Sequence, residues 1–198
     1  MNVTAIKQVC VFCGSKTGTR PVYREAAESL GRAMVARELG LVYGGGSVGL
    51  MGVLADAVLG AGGSVVGVIP ERLATTELLH AGVRTMHVTT SMHARKSRMD
   101  ELADAFIAMP GGFGTFEELL EMITWSQLGI HRKPVGLLNV AGYFDRLIQF
   151  FDHAIAEGFI RPKHRQLFVI ASDPAELLDL LARHRPPVEP KFVSLAES

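Results

Sequence analysis

Short apolar runs alternate with segments of helical spacing along almost the whole chain. Residues 9–13, 41–43, 64–69, 83–88, 105–109, 135–139 and 168–171 read as strands, and most of these are continuous apolar runs. Between them, helical spacing predicts helices over 23–38, 50–59, 91–102, 116–128, 143–156 and 174–183. The first helix shows the pattern well, with Ala26, Ala27, Leu30, Ala33 and Met34 on one side. Ser91 is suited to cap a helix start, because its hydroxyl can accept an otherwise orphaned N–H. Pro174 stands in a first turn, where a missing N–H costs nothing. Residues 71–81 read as a loop or short helix. Strands that are apolar throughout are covered on both faces, so strand and helix in alternation predict an α/β fold. The expected architecture is a doubly wound, mostly parallel sheet with helices on both faces. We expect one nucleotide-binding domain over residues 1–185 and an extended or disordered tail over 186–198, which begins with Pro186-Pro187.

Composition narrows the classes. Apolar residues make up 48% of the chain and charged residues 20%, a globular balance. Lys+Arg and Asp+Glu number 20 each, so no global charge points to nucleic acid or to an acidic membrane surface. No apolar run is long enough to span a bilayer. Residues 1–7 lack the basic-then-apolar order of a signal peptide, and the expected compartment is the cytoplasm. Cys10 and Cys13 form a C-x-x-C, but they fall in an apolar strand where positions three apart face opposite ways. No second pair completes a zinc site, so two small buried apolar residues are expected. The seven histidines are scattered and none has ligand spacing; no metal site is expected.

In parallel sheets, ligands sit outside the carboxyl ends of the strands. Three glycine-rich loops follow strands there, after the first, second and fifth. The third is the most informative: Pro110-Gly111-Gly112-Phe113-Gly114-Thr115-Phe116-Glu117-Glu118 joins a strand to a helix. Unpartnered N–H groups and the helix dipole favour an anion at such a place, and glycine lets the backbone come close. Glu118 has two readings. With Thr115 as N-cap it makes a T-x-x-E capping box; beside a phosphate cradle it could act on the molecule that carries the phosphate. Glu117 reads as exposed helix surface. Gly44, Gly46 and Gly49 fit G-x-G-x-x-G, yet they follow the second strand, and Pro70-Glu71 is a poor match for a ribose-binding acid at the next strand end. They predict either a tight strand–helix crossing or one wall of a nucleotide pocket. The cations in Met92-His93-Ala94-Arg95-Lys96-Ser97-Arg98 read either as a solvated basic face or as phosphate partners. On a helix, Arg95, Met99 and Leu102 share a face, while Lys96 and Arg98 point elsewhere.

The segment 110–118 matches the P-G-G-x-G-T-x-x-E signature of the Lonely Guy (LOG) family, and Met92 to Lys96 resembles its M-H-x-R-K element. The resemblance runs from about the first strand to the sixth, through Cys13-Gly14-Ser15, Tyr43-Gly44-Gly45-Gly46 and Ile123-Thr124-Trp125-Ser126-Gln127-Leu128-Gly129-Ile130-His131. It implies a Rossmann-like cytokinin riboside 5′-monophosphate phosphoribohydrolase, which cleaves an adenine-type nucleotide to free base and ribose 5-phosphate and in many members accepts AMP. It implies Arg95 and Glu118 as the catalytic pair. Substrate contacts would come from Glu77, Arg95, Lys96, residues 111–118 and Thr124, with Ser15, Gly45 and Gly46 in the neighbouring loops. The resemblance also implies a homodimer, for which 125–131 is a candidate contact that a core helix end explains equally. Such proteins are often labelled lysine decarboxylases, but no lysine here is placed to form a Schiff base with pyridoxal phosphate, and no cofactor is expected. In the expected chemistry the loop and the Thr115 hydroxyl hold the 5′-phosphate, and the purine lies toward residues 44–49. Glu118 then stabilises an oxocarbenium-like centre or takes a proton from water. An NAD-dependent oxidoreductase using the Gly44 loop and a non-catalytic nucleotide sensor are the competing readings.

Overall fold

The computed structural model describes residues 5–74 and 79–187. Seven strands form one sheet: β1 Gln8–Phe12, β2 Gly40–Tyr43, β3 Val65–Pro70, β4 Thr85–Thr89, β5 Ala105–Ala108, β6 Val135–Leu138 and β7 Phe168–Ala171. Their order is β4-β3-β2-β1-β5-β6-β7, and every neighbouring pair is parallel. Helices α1 (Pro21–Val35), α2 (Gly49–Gly60) and α6 (Pro174–Arg183) pack on one face, and α3 (Met92–Leu102), α4 (Phe113–Gln127) and α5 (Asp145–Ala156) on the other. This is the doubly wound architecture expected from the sequence.

Alternation along the central strands feeds both cores. Val9, Val11 and Cys13 face α1, α2 and α6, while Cys10 and Phe12 face the opposite set. Cys10 and Cys13 are free and buried, and burial pushes both thiols well above their ordinary pKa. They are therefore inert packing residues.

The strand order fixes where a ligand site can form. From β1 the chain winds outward through β2, β3 and β4, then crosses back to β5 and winds the other way. The loops after β1 and β5 thus diverge at the topological switch point, where open α/β sheets have a crevice.

Several boundaries differ from the periodicity reading. Helix α4 begins at Phe113 and not at 116, because its start, with Gly112 as N-cap, an exposed Phe113 and Gly114, carries no apolar rhythm. Helix α1 starts at Pro21, with proline in its first turn. The helix read from 143 starts two residues later, at Asp145: Tyr143 and Phe144 form a turn that follows the 3-10 turn Val140–Gly142, in which Ala141 stands at φ 52°. Strand β4 lies at a sheet edge and runs to Thr89, with Val88 exposed. Among the described residues no helix is long and apolar enough to cross a membrane.

Candidate active site

Three loops meet at the carboxyl edge of the sheet. The Pro110 carbonyl accepts the Gly14 N–H at 3.1 Å, and the Gly14 carbonyl accepts the Leu50 N–H at 2.9 Å. Gly111 is pressed into this junction: a Cβ there would run into the Thr115 hydroxyl and lie 2.9 Å from the Gly14 nitrogen. Gly49, at φ +61°, packs against the backbone of Ser15 and Lys16 in the same way. Only glycine permits so close an approach at both places.

Gly112 is the N-cap of α4, and its carbonyl accepts the Phe116 N–H at 3.1 Å. The N–H groups of Phe113, Gly114 and Thr115 therefore precede the first helical bond and have no partner within the helix. They lie at the positive end of the helix dipole, directly after Gly111 and Gly112 of the loop. A cavity of about 400 Å³ opens there, lined by residues 14–18, Tyr23, Leu50, residues 110–112 and Tyr143. That volume is within the range of small-molecule sites.

The capping-box reading of Glu118 fails. With Gly112 as N-cap, Thr115 is already helical and buried, and Glu118 lies too far along α4 to reach back to the helix start. Its carboxylate instead accepts a bond from Arg95 Nη1 at 2.8 Å, and each side chain is only 11% exposed. Arg95 is itself fixed: its Nε donates to the Val68 carbonyl at 3.0 Å, and its guanidinium packs against Gly44, where a Cβ would fall 2.5 Å from Nη2. Burial raises the Glu118 pKa, Arg95 opposes that rise, and the neighbouring charge of Glu117 adds to it. Glu118 stands five residues beyond Phe113, about 7.5 Å along the helix axis. That separation is comparable to the length of a ribose 5-phosphate.

The solvated-face reading of the basic cluster also fails for its two central cations. Lys96 is buried, and its ammonium lies between Glu117 and Glu121, the latter at 2.9 Å. Burial alone would lower its pKa, but the hydrogen bonds and charges of the two carboxylates outweigh burial and raise it. Arg98 remains at the surface in a pair with Glu101. Glu117 is exposed as expected, but it is committed to Lys96.

The structure brings Ser15, Gly111 and Gly112 together at the cavity, with Thr115 behind them. Arg95 and Glu118 form a pair on the Gly44 side. Gly45 and Gly46 are turned away toward the β3–β4 edge: Gly45 packs on Met86 and Ile69, and Gly46 bridges Leu79. The G-x-G-x-x-G segment thus makes a close strand–helix crossing one strand from the switch point. Phe113 is almost fully exposed, and Phe116 packs with Tyr143 and Phe144. Thr124 is exposed, its hydroxyl bonded to the Leu120 carbonyl at 2.7 Å, on the α4 face that carries Glu117 and Glu121. Glu77 lies outside the described residues. Within 125–131, Ser126 and His131 are buried, while Leu128 and Ile130 are each 62% exposed.

Sequence reasoning missed Glu121, Tyr23 and Tyr143. Glu121 could have been found from its i+4 spacing to Glu117. The tyrosines carry no local signal, since only the strand order brings their elements beside the loop.

A family model described as "Possible lysine decarboxylase" matches residues 51–181. A protein of Oryza sativa subsp. japonica named "Probable cytokinin riboside 5'-monophosphate phosphoribohydrolase" is 54% identical over 180 residues, covering 91% of this chain and 79% of the relative. A cytokinin riboside 5′-monophosphate phosphoribohydrolase of Arabidopsis thaliana is 53% identical over 180 residues, covering 91% and 83%. Among solved structures, the molybdenum cofactor binding protein from Rippkaea orientalis superposes with a TM-score of 0.68 at 23% identity, covering 90% of this chain and 96% of that one. At that identity the likeness is one of fold alone.

Proposed function

We propose that this chain, which belongs to the LOG family of cytokinin riboside 5′-monophosphate phosphoribohydrolases, hydrolyses the N-glycosidic bond of adenine-type nucleoside 5′-monophosphates. The substrates are cytokinin riboside monophosphates, AMP or both, and the products are free base and ribose 5-phosphate. The observation that carries this reading is that one helix supplies both ends of the reaction. The start of α4 offers unpartnered N–H groups to a phosphate, and the same helix carries Glu118, buried and raised in pKa, beside Arg95.

The 5′-phosphate sits at residues 111–115 with Ser15 alongside, and this remote anchoring orients the anomeric carbon. Water adds to that carbon as the C–N bond breaks. The purine nitrogen keeps the bonding electrons and takes up a proton. Glu118, as carboxylate, stabilises the oxocarbenium-like centre and accepts the proton of the attacking water. Arg95 holds Glu118 in place and lowers the cost of its ionised form. In this reading Gly44, packed against Arg95, lies on the base side, Thr124 touches substrate at its margin, and Lys96 with Glu117 ties α3 to α4.

A pyridoxal-type decarboxylase is disfavoured by a specific observation. A Schiff-base lysine needs a lowered pKa, yet Lys96, the buried lysine among the described residues, is held as an ammonium by two carboxylates. A homodimer is part of the proposal, supported by the exposed Leu128 and Ile130 just past α4.

The test is to incubate AMP or isopentenyladenosine monophosphate with purified chain sedimenting at twice 21.4 kDa. Equal amounts of free base and ribose 5-phosphate are expected. AMP bound but intact would instead identify a sensor, and nicotinamide-cofactor binding without base release would identify an oxidoreductase.

A further inference from the structure

Tyr143 follows the 3-10 turn after β6 and precedes α5. Its ring is fixed from three sides. It meets Tyr23 of α1 edge-on at 5.8 Å between centroids, Phe144 edge-on at 5.1 Å, and Phe116 of α4 nearly parallel at 6.4 Å. The turn beneath it is also pinned: Asn139 Oδ1 accepts the Phe144 N–H at 2.7 Å, and Asn139 Nδ2 donates to Asp145 Oδ1 at 2.7 Å. Ala141 holds a left-handed conformation at φ 52°, which a non-glycine residue keeps only when its surroundings impose it. So oriented, Tyr143 lines the cavity, and its hydroxyl donates to the carbonyl oxygen of Gly111.

That bond engages the carbonyl between two that are already bonded, since the Pro110 and Gly112 carbonyls accept from the Gly14 and Phe116 N–H groups. Gly111-Gly112 is a diglycine, whose linking peptide can turn over at small conformational cost. In a planar trans peptide the carbonyl of Gly111 and the N–H of Gly112 point in opposite directions. Gripping the carbonyl therefore sets the N–H. The preceding carbonyl, Pro110, is already taken by the Gly14 N–H. Both oxygens that would repel an anion are thus engaged by donors, and the N–H groups of 112–115 are left for it.

We infer that Tyr143 is a positioning residue of the phosphate cradle: its hydroxyl holds the Gly111–Gly112 peptide with the Gly112 N–H turned to the substrate's 5′-phosphate. The inference rests on the phosphoribohydrolase reading of the site. Wild-type release of adenine from AMP is therefore measured first, and its absence would count against that reading and not against Tyr143. In the full chain, Tyr143→Phe keeps the ring and its packing but removes the donor. KM for AMP is expected to rise about five- to tenfold, the size of one lost hydrogen bond, with kcat within about twofold. Inhibition by ribose 5-phosphate should weaken in parallel, while inhibition by free adenine, which has no phosphate, should not change. Tyr43→Phe is the control, since its buried hydroxyl lies in the core outside the cavity lining and bonds no other group among the described residues, and it should leave KM alone. Unchanged KM and ribose 5-phosphate inhibition in Tyr143→Phe overturn the inference, as does an equal weakening for adenine. A measurement on 15N-labelled wild type stands independently of any variant: ribose 5-phosphate should shift the Gly112 amide resonance, and a resonance that stays put also overturns it.

Discussion

Glu117 and Glu118 are adjacent on α4, yet one reaches Lys96 at the solvent boundary and the other reaches Arg95 beneath the loops. A rotation of about 100° per residue separates them. The Glu117 side chain is 53% exposed and the Glu118 side chain 11%. The Lys96 cluster, with Glu121 as a further partner, ties α3 to α4. An ion pair with a half-exposed partner contributes about 0–1 kcal/mol, and structure is sufficient reason for it. The Arg95–Glu118 pair is different, because two charges taken out of water gain little net stability from each other. What that pair obtains from burial is a carboxylate with a raised pKa and a guanidinium that cannot move. Residue type is the same at the two positions; solvent decides which one can do chemistry.

The sharpest way to break this comparison is to remove one charge at a time. Glu118→Gln keeps the shape and an acceptor for Arg95 Nη1 but abolishes the carboxylate. We expect folded protein with near-normal KM for AMP, and turnover lower by about 10²–10³, the usual loss for a transition-state electrostatic contact. Measured side by side, Glu117→Gln should lose less than about twofold. Comparable losses in the two variants would erase the distinction drawn here.

Removing the partner gives a smaller effect with a defined direction in pH. Burial holds the Glu118 pKa above the ordinary 4.5, and Arg95 acts against that rise. Arg95→Met should therefore raise the pKa further. In the proposed mechanism the carboxylate is the reacting form, so the acid limb of kcat/KM should move to higher pH. Turnover at neutral pH should fall about tenfold to a hundredfold. Stability follows the same proton. A carboxyl with a raised folded pKa favours the fold fully below 4.5, and that contribution is lost as pH rises through the folded value. Melting temperatures of Arg95→Met taken from pH 4 to pH 8 should accordingly decline over a window that extends to higher pH than in the wild type. A limb that stays where the wild type has it would mean that Arg95 does not tune Glu118.

Strands were legible in the sequence because a buried parallel strand is an unbroken apolar run, as 105–109 shows. The strand order was not, since parallel pairing leaves no local mark, and only that order brings the loops after β1 and β5 to one crevice. The start of α4 was hidden because Phe113 is exposed and its neighbours are glycines, which made Thr115 look like a cap. Lys96 looked solvated because helical spacing describes one helix, while its two partners lie on α4, more than 20 residues later. Tyr143 reads as the first residue of a helix because it has helical dihedrals and stands two residues before α5, and periodicity does not distinguish such a turn from a first helical turn. The pairing of Arg95 with Glu118 had been expected from the family signature alone.

The smallest predicted effect tests the electrostatics most closely. Glu117 touches neither Arg95 nor the loop, and its charge acts on Glu118 through space, raising the pKa. Glu117→Gln should therefore move the acid limb of kcat/KM to lower pH, opposite to Arg95→Met, with the pH-independent rate nearly unchanged. The shift should stay well under one pH unit, because solvent screens a half-exposed charge, and it should shrink as salt is added. The same substitution weakens one of the two partners of Lys96, so its melting temperature offers an internal check. Glu121 remains at 2.9 Å, and a drop of only a few degrees is expected. A limb displaced upward, or one indifferent to salt, would show that Glu117 acts on Glu118 by shifting α3 against α4 and not by its field.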